Sequence, residues 1–149
     1  MSEPLLLSIS TTCYTTERLK DIIDLLDSIE RQTYNNIEII IVVEKSEELL
    51  DLVKKYVLEN IHRPSRVIFN DGEKGLSAAR NLGYKNAKGT IVAFIDDDAT
   101  LFPDWATETM KTYSNTSIIG ITGPILPFWQ GEVVVLAFSE MGHFSHRRL

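Results

Sequence analysis

Thr90-Ile91-Val92-Ala93-Phe94-Ile95-Asp96-Asp97-Asp98 is an apolar run of strand length that ends in three consecutive carboxylates, with Pro103 and Trp105 shortly after it. Adjacent acids repel one another and ordinarily scatter over a solvated loop. At the mouth of a buried strand they suit a hard divalent cation. Mg²⁺ and Mn²⁺ take carboxylate oxygens and commonly bridge one or two of them to substrate phosphates. The same residues also suit an acidic turn that caps the next helix, because Asp favours N-caps and turns. The tripeptide alone leaves both readings open.

Outward from this stretch, strand-length apolar runs alternate with segments of helical period. Leu5 to Ile9 reads as a buried strand. Leu19, Ile22, Ile23, Leu26 and Ile29 then form a stripe at i, i+3, i+4, i+7 with charges opposite, a helix from Glu17 to about Gln32-Thr33. Ile37 to Val43 is almost unbroken apolar, as expected of a parallel strand covered on both faces. Ser46, followed by Glu47 and Glu48, caps a helix that Asn60 and Pro64 close. Arg66 to Phe69 is a short strand, and Asn70-Asp71-Gly72 has turn chemistry. Leu76 to Ala87 is a helix with small residues for close packing, and Thr90 to Ile95 is the fourth strand. Pro103 opens another helix to about Tyr113. Ile118 to Thr122 is a fifth strand, broken by Gly123-Pro124.

This β-α alternation implies a three-layer α/β/α fold with an open, mostly parallel sheet and right-handed crossovers. Ligands of such sheets bind beyond the carboxyl ends of the strands. Ser10 to Tyr14, Glu44 to Ser46, Asn70 to Gly75 and Asp96 to Asp98 fall at that edge. No Gly-x-Gly-x-x-Gly follows the first strand, and no Gly-x(4)-Gly-Lys-Ser/Thr occurs. A nucleotide diphosphate would therefore be neutralised chiefly by a cation, with few backbone amides involved.

The 149 residues fit one domain over 1–149, with 128–149 unassigned, and 44% hydrophobic with 24% charged residues makes a globular chain. A net charge of −6 argues against nucleic acid, which needs a basic face. His146-Arg147-Arg148, the one dense basic cluster, reads as a tail. Cys13, the sole cysteine, forms no internal disulfide, in keeping with a reducing compartment. Met1-Ser2-Glu3-Pro4 lacks a basic leader region. Ile37 to Val43 and Val133 to Phe138 are too short to span a bilayer. The expected setting is cytoplasmic, at the cytoplasmic face of a membrane if a partner or a further segment brings the chain there.

Gly75-Leu76-Ser77-Ala78-Ala79-Arg80-Asn81-Leu82-Gly83, Ala87-Lys88-Gly89, Phe94-Ile95-Asp96-Asp97-Asp98 and Pro103 together resemble the family 2 glycosyltransferases of GT-A fold. Leu25 to Tyr34 and Glu38 to Val43 look like the same family, and the resemblance runs from about Leu5 to Pro127. It implies the donor-binding portion of such an enzyme, with a nucleotide-sugar (UDP-, GDP- or dTDP-) and Mn²⁺ or Mg²⁺. By position, Asp98 would hold the metal, and Asp96 and Asp97 would reach the ribose or, for Asp96, complete the metal shell. Glu44 stands where the family places an acid that hydrogen-bonds the base. Here the segment is the shorter Val43-Glu44-Lys45-Ser46, and a solvated Glu opening a helix is the competing reading. Tyr14, and Thr11 before it, resemble the first loop that packs on the base, although the usual Pro-Thr-Tyr-Asn is absent. Lys74 and Arg80 are the cations nearest the base and diphosphate.

The resemblance further implies inverting single displacement onto an unknown glycan, lipid or protein acceptor. The general base of such enzymes lies in a later acceptor-binding region. Only about fifty residues follow Asp98, and Glu132 and Glu140 are the only later carboxylates apart from Asp104 and Glu108 in the next helix. No catalytic base is assigned. Trp129, able to stack on a sugar, and His143-x-x-His146 read as ordinary aromatic and tail residues. Apolar surface left by a short domain would favour a homo-oligomer. Two other classes remain: a non-catalytic nucleotide-sugar-binding or interaction module, and a nucleotidyltransferase, against which the missing Gly-rich first loop counts.

Overall fold

The computed structural model describes residues 4–115 and 117–126. The chain divides into two units, Met1–Ile119 and Gly120–Leu149, and the described part of the second, residues 120–126, holds neither helix nor strand. The first unit contains β1 (Leu7–Cys13), a 3₁₀ turn (Thr16–Arg18), α1 (Leu19–Glu30), β2 (Ile37–Glu44), α2 (Glu47–Asn60), β3 (Ser65–Asn70), α3 (Leu76–Asn86), β4 (Ile91–Phe94) and α4 (Trp105–Thr112).

The sheet runs in the order β3-β2-β1-β4, and every pairing is parallel. The chain steps outward from β1 to β3, then crosses back to place β4 on the far side of β1. Right-handed crossovers then put α1 and α2 on one face and α3 on the other. Core packing agrees. Ile39, Ile41 and Val43 of β2 meet Ile22, Leu25 and Leu26 of α1 and Val53 of α2, whereas Ile40 and Val42 meet Ala79 of α3. All eight residues of β2 are buried, which is why its sequence is β-branched almost throughout. Each fully buried Ile or Val adds roughly 1.5–3 kcal/mol.

β1 is longer than the Leu5 to Ile9 expected, and the difference matters. Ser10, Thr11 and Thr12 continue the ladder to Cys13, which pairs with Val43. These hydroxyls do not form a loop. Ser10 lies on the α3 face, where a small side chain lets that helix approach the sheet: a Cβ at Gly83 would lie 2.2 Å from Ser10 Oγ, whereas Thr11, opposite Ile41, lies on the α1 and α2 face. Gly89 is enclosed by less yielding atoms, with Ser8 Oγ at 2.5 Å and the backbone O of Leu6 and N of Ser8 at 2.7 Å from a Cβ built there. Close by, buried Glu38 Oε1 accepts from Ser8 Oγ and from the Lys88 amide, each at 2.6 Å, and Oε2 faces Arg66 at 3.4 Å.

The end of α1 anchors the chain that follows the acids. Gln32 Nε2 donates to Phe102 O at 2.7 Å, and its Oε1 accepts from Ala106 N at 2.8 Å. Ser28 Oγ accepts from Leu101 N at 3.0 Å. Arg63 in turn ties down this helix end by donating to the carbonyls of Glu30, Gln32, Tyr34 and Asn35.

Two expectations are corrected here. Pro103 lies in the turn before α4, which begins at Trp105. The expected strand Ile118 to Thr122 is absent: residues 118–122 carry no strand, and Ile119 is 99% exposed. An extended segment becomes a strand only when its N–H and C=O groups find a ladder, and among the described residues this one finds none. Phe128 onward, including Trp129, Glu132, Glu140, His143 and His146, lies outside the described residues.

Candidate functional site

The switch point between β1 and β4 fixes where a ligand can sit. There the acids form a tight turn: Ile95 N–H still donates to Ser10 O (3.0 Å), and Ala99 N–H closes back on Asp96 O (3.1 Å). The adjoining cleft has a volume of about 320 Å³, at the lower end of the roughly 300–1,000 Å³ of small-molecule sites. Four segments of the chain line it: Thr12, Cys13, Tyr14 and Arg18, then Glu44 and Lys45, then Gly75 and Leu76, and Asp96 to Asp98.

The three acids differ. Asp96 points to solvent and pairs with Arg80 at 3.0 Å. Asp97 is buried, its side chain 7% exposed; Oδ1 accepts from Arg18 Nη1 at 3.0 Å, and Oδ2 is buried without a hydrogen-bond partner. Asp98 is 54% exposed and meets the same Arg18 nitrogen at 3.4 Å. Burial raises the Asp97 pKa, Arg18 lowers it by hydrogen bond and charge, and Asp98 and Asp96 raise it again; the net shift is upward. Cys13 beneath them is pushed up to about 12, first by burial and then by the charge of Asp97. It is held as a protonated thiol in the sheet, with the nucleophilic thiolate disfavoured.

Glu44 is not a solvated helix opener. It is 6% exposed at the end of β2, and its Oε1 accepts from Asn70 Nδ2 (2.7 Å) and from the Gly75 amide (3.1 Å). Gly75 has φ +112°, in the left-handed region where a side chain is strained. Lys45 follows Glu44 with φ +65° although it is not glycine, a strained turn that brings Nζ to 4.9 Å from the Tyr14 ring centre.

Of the residues expected at the site, Tyr14, Glu44, Asp96, Asp97 and Asp98 all line the cleft. Arg80 joins through Asp96. Thr11 does not line it: at 1% exposure it lies inside β1, and Thr12 takes the cleft position. Lys74 is exposed beside Gly75, outside the lining. Sequence reasoning missed Arg18, and it placed Lys45 at the ligand edge without giving it a role. Arg18 carried a signal, since a cation at the start of a helix opposes the dipole. The backbone of Lys45 carried none.

Among the described residues, no three His, Cys, Asp or Glu side chains gather closely enough to hold a metal ion alone. The donors still suit a hard cation completed by phosphate and water, because one or two carboxylates are then enough. The unpartnered Asp97 Oδ2 is such an oxygen.

The family model described as glycosyl transferase family 2 matches residues 8–130. Glucosyl-dolichyl phosphate glucuronosyltransferase of Haloferax volcanii is 33% identical over 125 residues, covering 82% of this chain and 39% of that protein. Putative glycosyltransferase EpsH of Bacillus subtilis is 36% identical over 88 residues, covering 58% of this chain and 25% of its own. The chain thus spans well under half the length of these relatives. S. aureus TarS 1–349, solved with UDP-GlcNAc, superposes with a TM-score of 0.65 at 22% identity, over 83% of this chain and 37% of that one. Mannosyltransferase PcManGT of Pyrobaculum calidifontis, solved with GDP-Man and Mn²⁺, gives 0.57 at 20% identity, over 70% and 31%. These likenesses establish the fold as the GT-A type.

Proposed function

The chain belongs to glycosyl transferase family 2, and from that premise we propose that its cleft binds a nucleotide-diphosphate sugar with a divalent cation, for glycosyl transfer with inversion. The observation that carries this reading is the lining of one cleft, where Glu44, Lys45 and Tyr14 offer an acceptor, a cation and a ring together with the three acids Asp96 to Asp98.

In this reading Tyr14 packs on the base, and the Glu44 oxygen not engaged by Asn70 and Gly75 accepts a base N–H. Arg80 orients Asp96 toward the ribose side, and Asp98, with Asp96 or Asp97, holds Mg²⁺ or Mn²⁺ through carboxylate oxygens. A cation bound there stabilises negative charge on the departing diphosphate. In the transfer itself the sugar C1–O bond to the diphosphate breaks while the acceptor oxygen bonds C1 from the opposite face. The acceptor proton passes to a carboxylate base. That base belongs to an acceptor region not assigned in this chain. UDP-GlcNAc and GDP-Man in the fold relatives support a nucleotide-sugar donor, and the choice among UDP-, GDP- and dTDP-sugars is a matter for titration.

Two conservative variants separate the halves of the site. Asp98→Asn should abolish the gain in nucleotide affinity given by Mn²⁺, about tenfold or more for a lost charged ligand. Glu44→Gln should weaken the bare nucleotide, with the Mn²⁺ gain intact. If Asp98→Asn binds nucleotide and Mn²⁺ as the wild type does, the assignment of Asp98 is wrong.

A further inference from the structure

Two carboxylates converging on one point need a counter-charge even when no cation is there, and Arg18 supplies it. Its Nη1 lies 3.0 Å from Asp97 Oδ1 and 3.4 Å from Asp98 Oδ2. Nothing local recruits it. Arg18 sits at the N-cap of α1 with no side-chain cap bond, where the helix dipole opposes a cation. The Thr16–Arg18 turn is held instead by Thr15, whose Oγ1 accepts from Glu17 N. The Arg18 side chain is 41% exposed on a flexible stem, so it is free to swing aside. Asp97 Oδ2, buried and unpartnered, shows that one guanidinium leaves the pair incompletely satisfied.

Resting on the reading that this edge takes a divalent cation, we propose that Arg18 is a resident counter-charge that holds Asp97 and Asp98 in the donor-free protein and competes with the cation for them. An arginine stays charged at every accessible pH. Displacement, not deprotonation, is therefore what vacates the acids. A divalent ion alone must displace Arg18 and binds weakly; an ion arriving with a diphosphate is compensated by the phosphate oxygens. The competition thereby couples metal binding to donor binding. Arg18 is a positioning residue, acting through the two acids.

The test is Mn²⁺ binding to the donor-free chain, read by electron paramagnetic resonance of the free ion. Arg18→Gln should tighten Mn²⁺ binding by about tenfold, the effect of removing one like charge a few Å away at a partly exposed site. Arg18→Lys, which keeps the charge, should stay within about twofold of wild type. A purely structural role would loosen Mn²⁺ binding in Arg18→Gln, so unchanged or weaker binding by that folded variant overturns the proposal while leaving the metal site standing. Absence of Mn²⁺ binding in both wild type and Arg18→Gln, with or without nucleotide, overturns the metal reading and this inference with it. Should Arg18→Gln not fold, the Arg18 Nε–H resonance of the wild type, assigned with Arg18→Lys, decides. It should shift as Mg²⁺ is added, and a resonance that stays put overturns the proposal.

Discussion

Asp97 and Glu38 are both buried carboxylates, yet burial has opposite net outcomes for them. At Asp97 burial and two neighbouring acids outweigh Arg18, and the pKa ends above the ordinary value. At Glu38 burial also raises the pKa, but hydrogen bonds from Ser8 and the Lys88 amide, with the charge of Arg66, bring it below. The satisfied acid lies in the scaffold between Ser8, Arg66 and the Lys88 amide; the unsatisfied one lines the cleft. A lowered folded-state pKa means that stability from ionised Glu38 is present above the unfolded carboxylate pKa and is lost as pH falls through the folded value. Glu38→Gln should thus cost about 1 kcal/mol at pH 7, and the gap from wild type should close as urea melts are taken into acid. A gap that stays constant with pH would rule out this linkage. At this scale the acids were readable from residue type and position. Arg18 stood out only as a cation at a helix start, and its role did not, because its partners are 79 and 80 residues away.

Strand and helix patterning was readable wherever apolar period was strong, as in β2, α1 and α2. It failed at β1, where serine and threonine imitated a loop. The small side chains of Ser10 and Ser8 make room for α3 and for the Gly89 turn, a packing demand visible only once the elements meet. The two glycines make separable predictions. Gly83→Ala would clash with one rotatable hydroxyl, so it should cost about 1–3 kcal/mol and be largely rescued by Ser10→Ala. Gly89→Ala would meet the backbone of Leu6 and Ser8. It should cost at least as much, and Ser8→Ala should not rescue it. Thermal melts of the four variants check this, and equal rescue at both sites would contradict the packing described. Gln32 shows the same limit of sequence: it reads as a helix end, yet one end of its amide holds the loop that follows the acids and the other the first turn of α4.

For the whole molecule, the order β3-β2-β1-β4 explains why residues from four separate segments share one cleft. The reversal beside β1 opens the crevice, and the carboxyl ends of β1, β2 and β4 deliver Tyr14, Glu44 and Asp96 to Asp98 into it. The expected parallel α/β/α architecture is the one found; the expected fifth strand is not, since an apolar run cannot announce whether a ladder awaits it. No helix among the described residues is long and apolar enough to cross a membrane. The central claim is that this edge holds a nucleotide-sugar through a cation. Calorimetric titration of the folded chain with UDP-, GDP- and dTDP-sugars, each with and without Mn²⁺, tests it most directly. The account predicts binding of at least one donor that tightens by about tenfold or more when Mn²⁺ is present. Failure to bind any of the three, or an affinity indifferent to the cation, would contradict it.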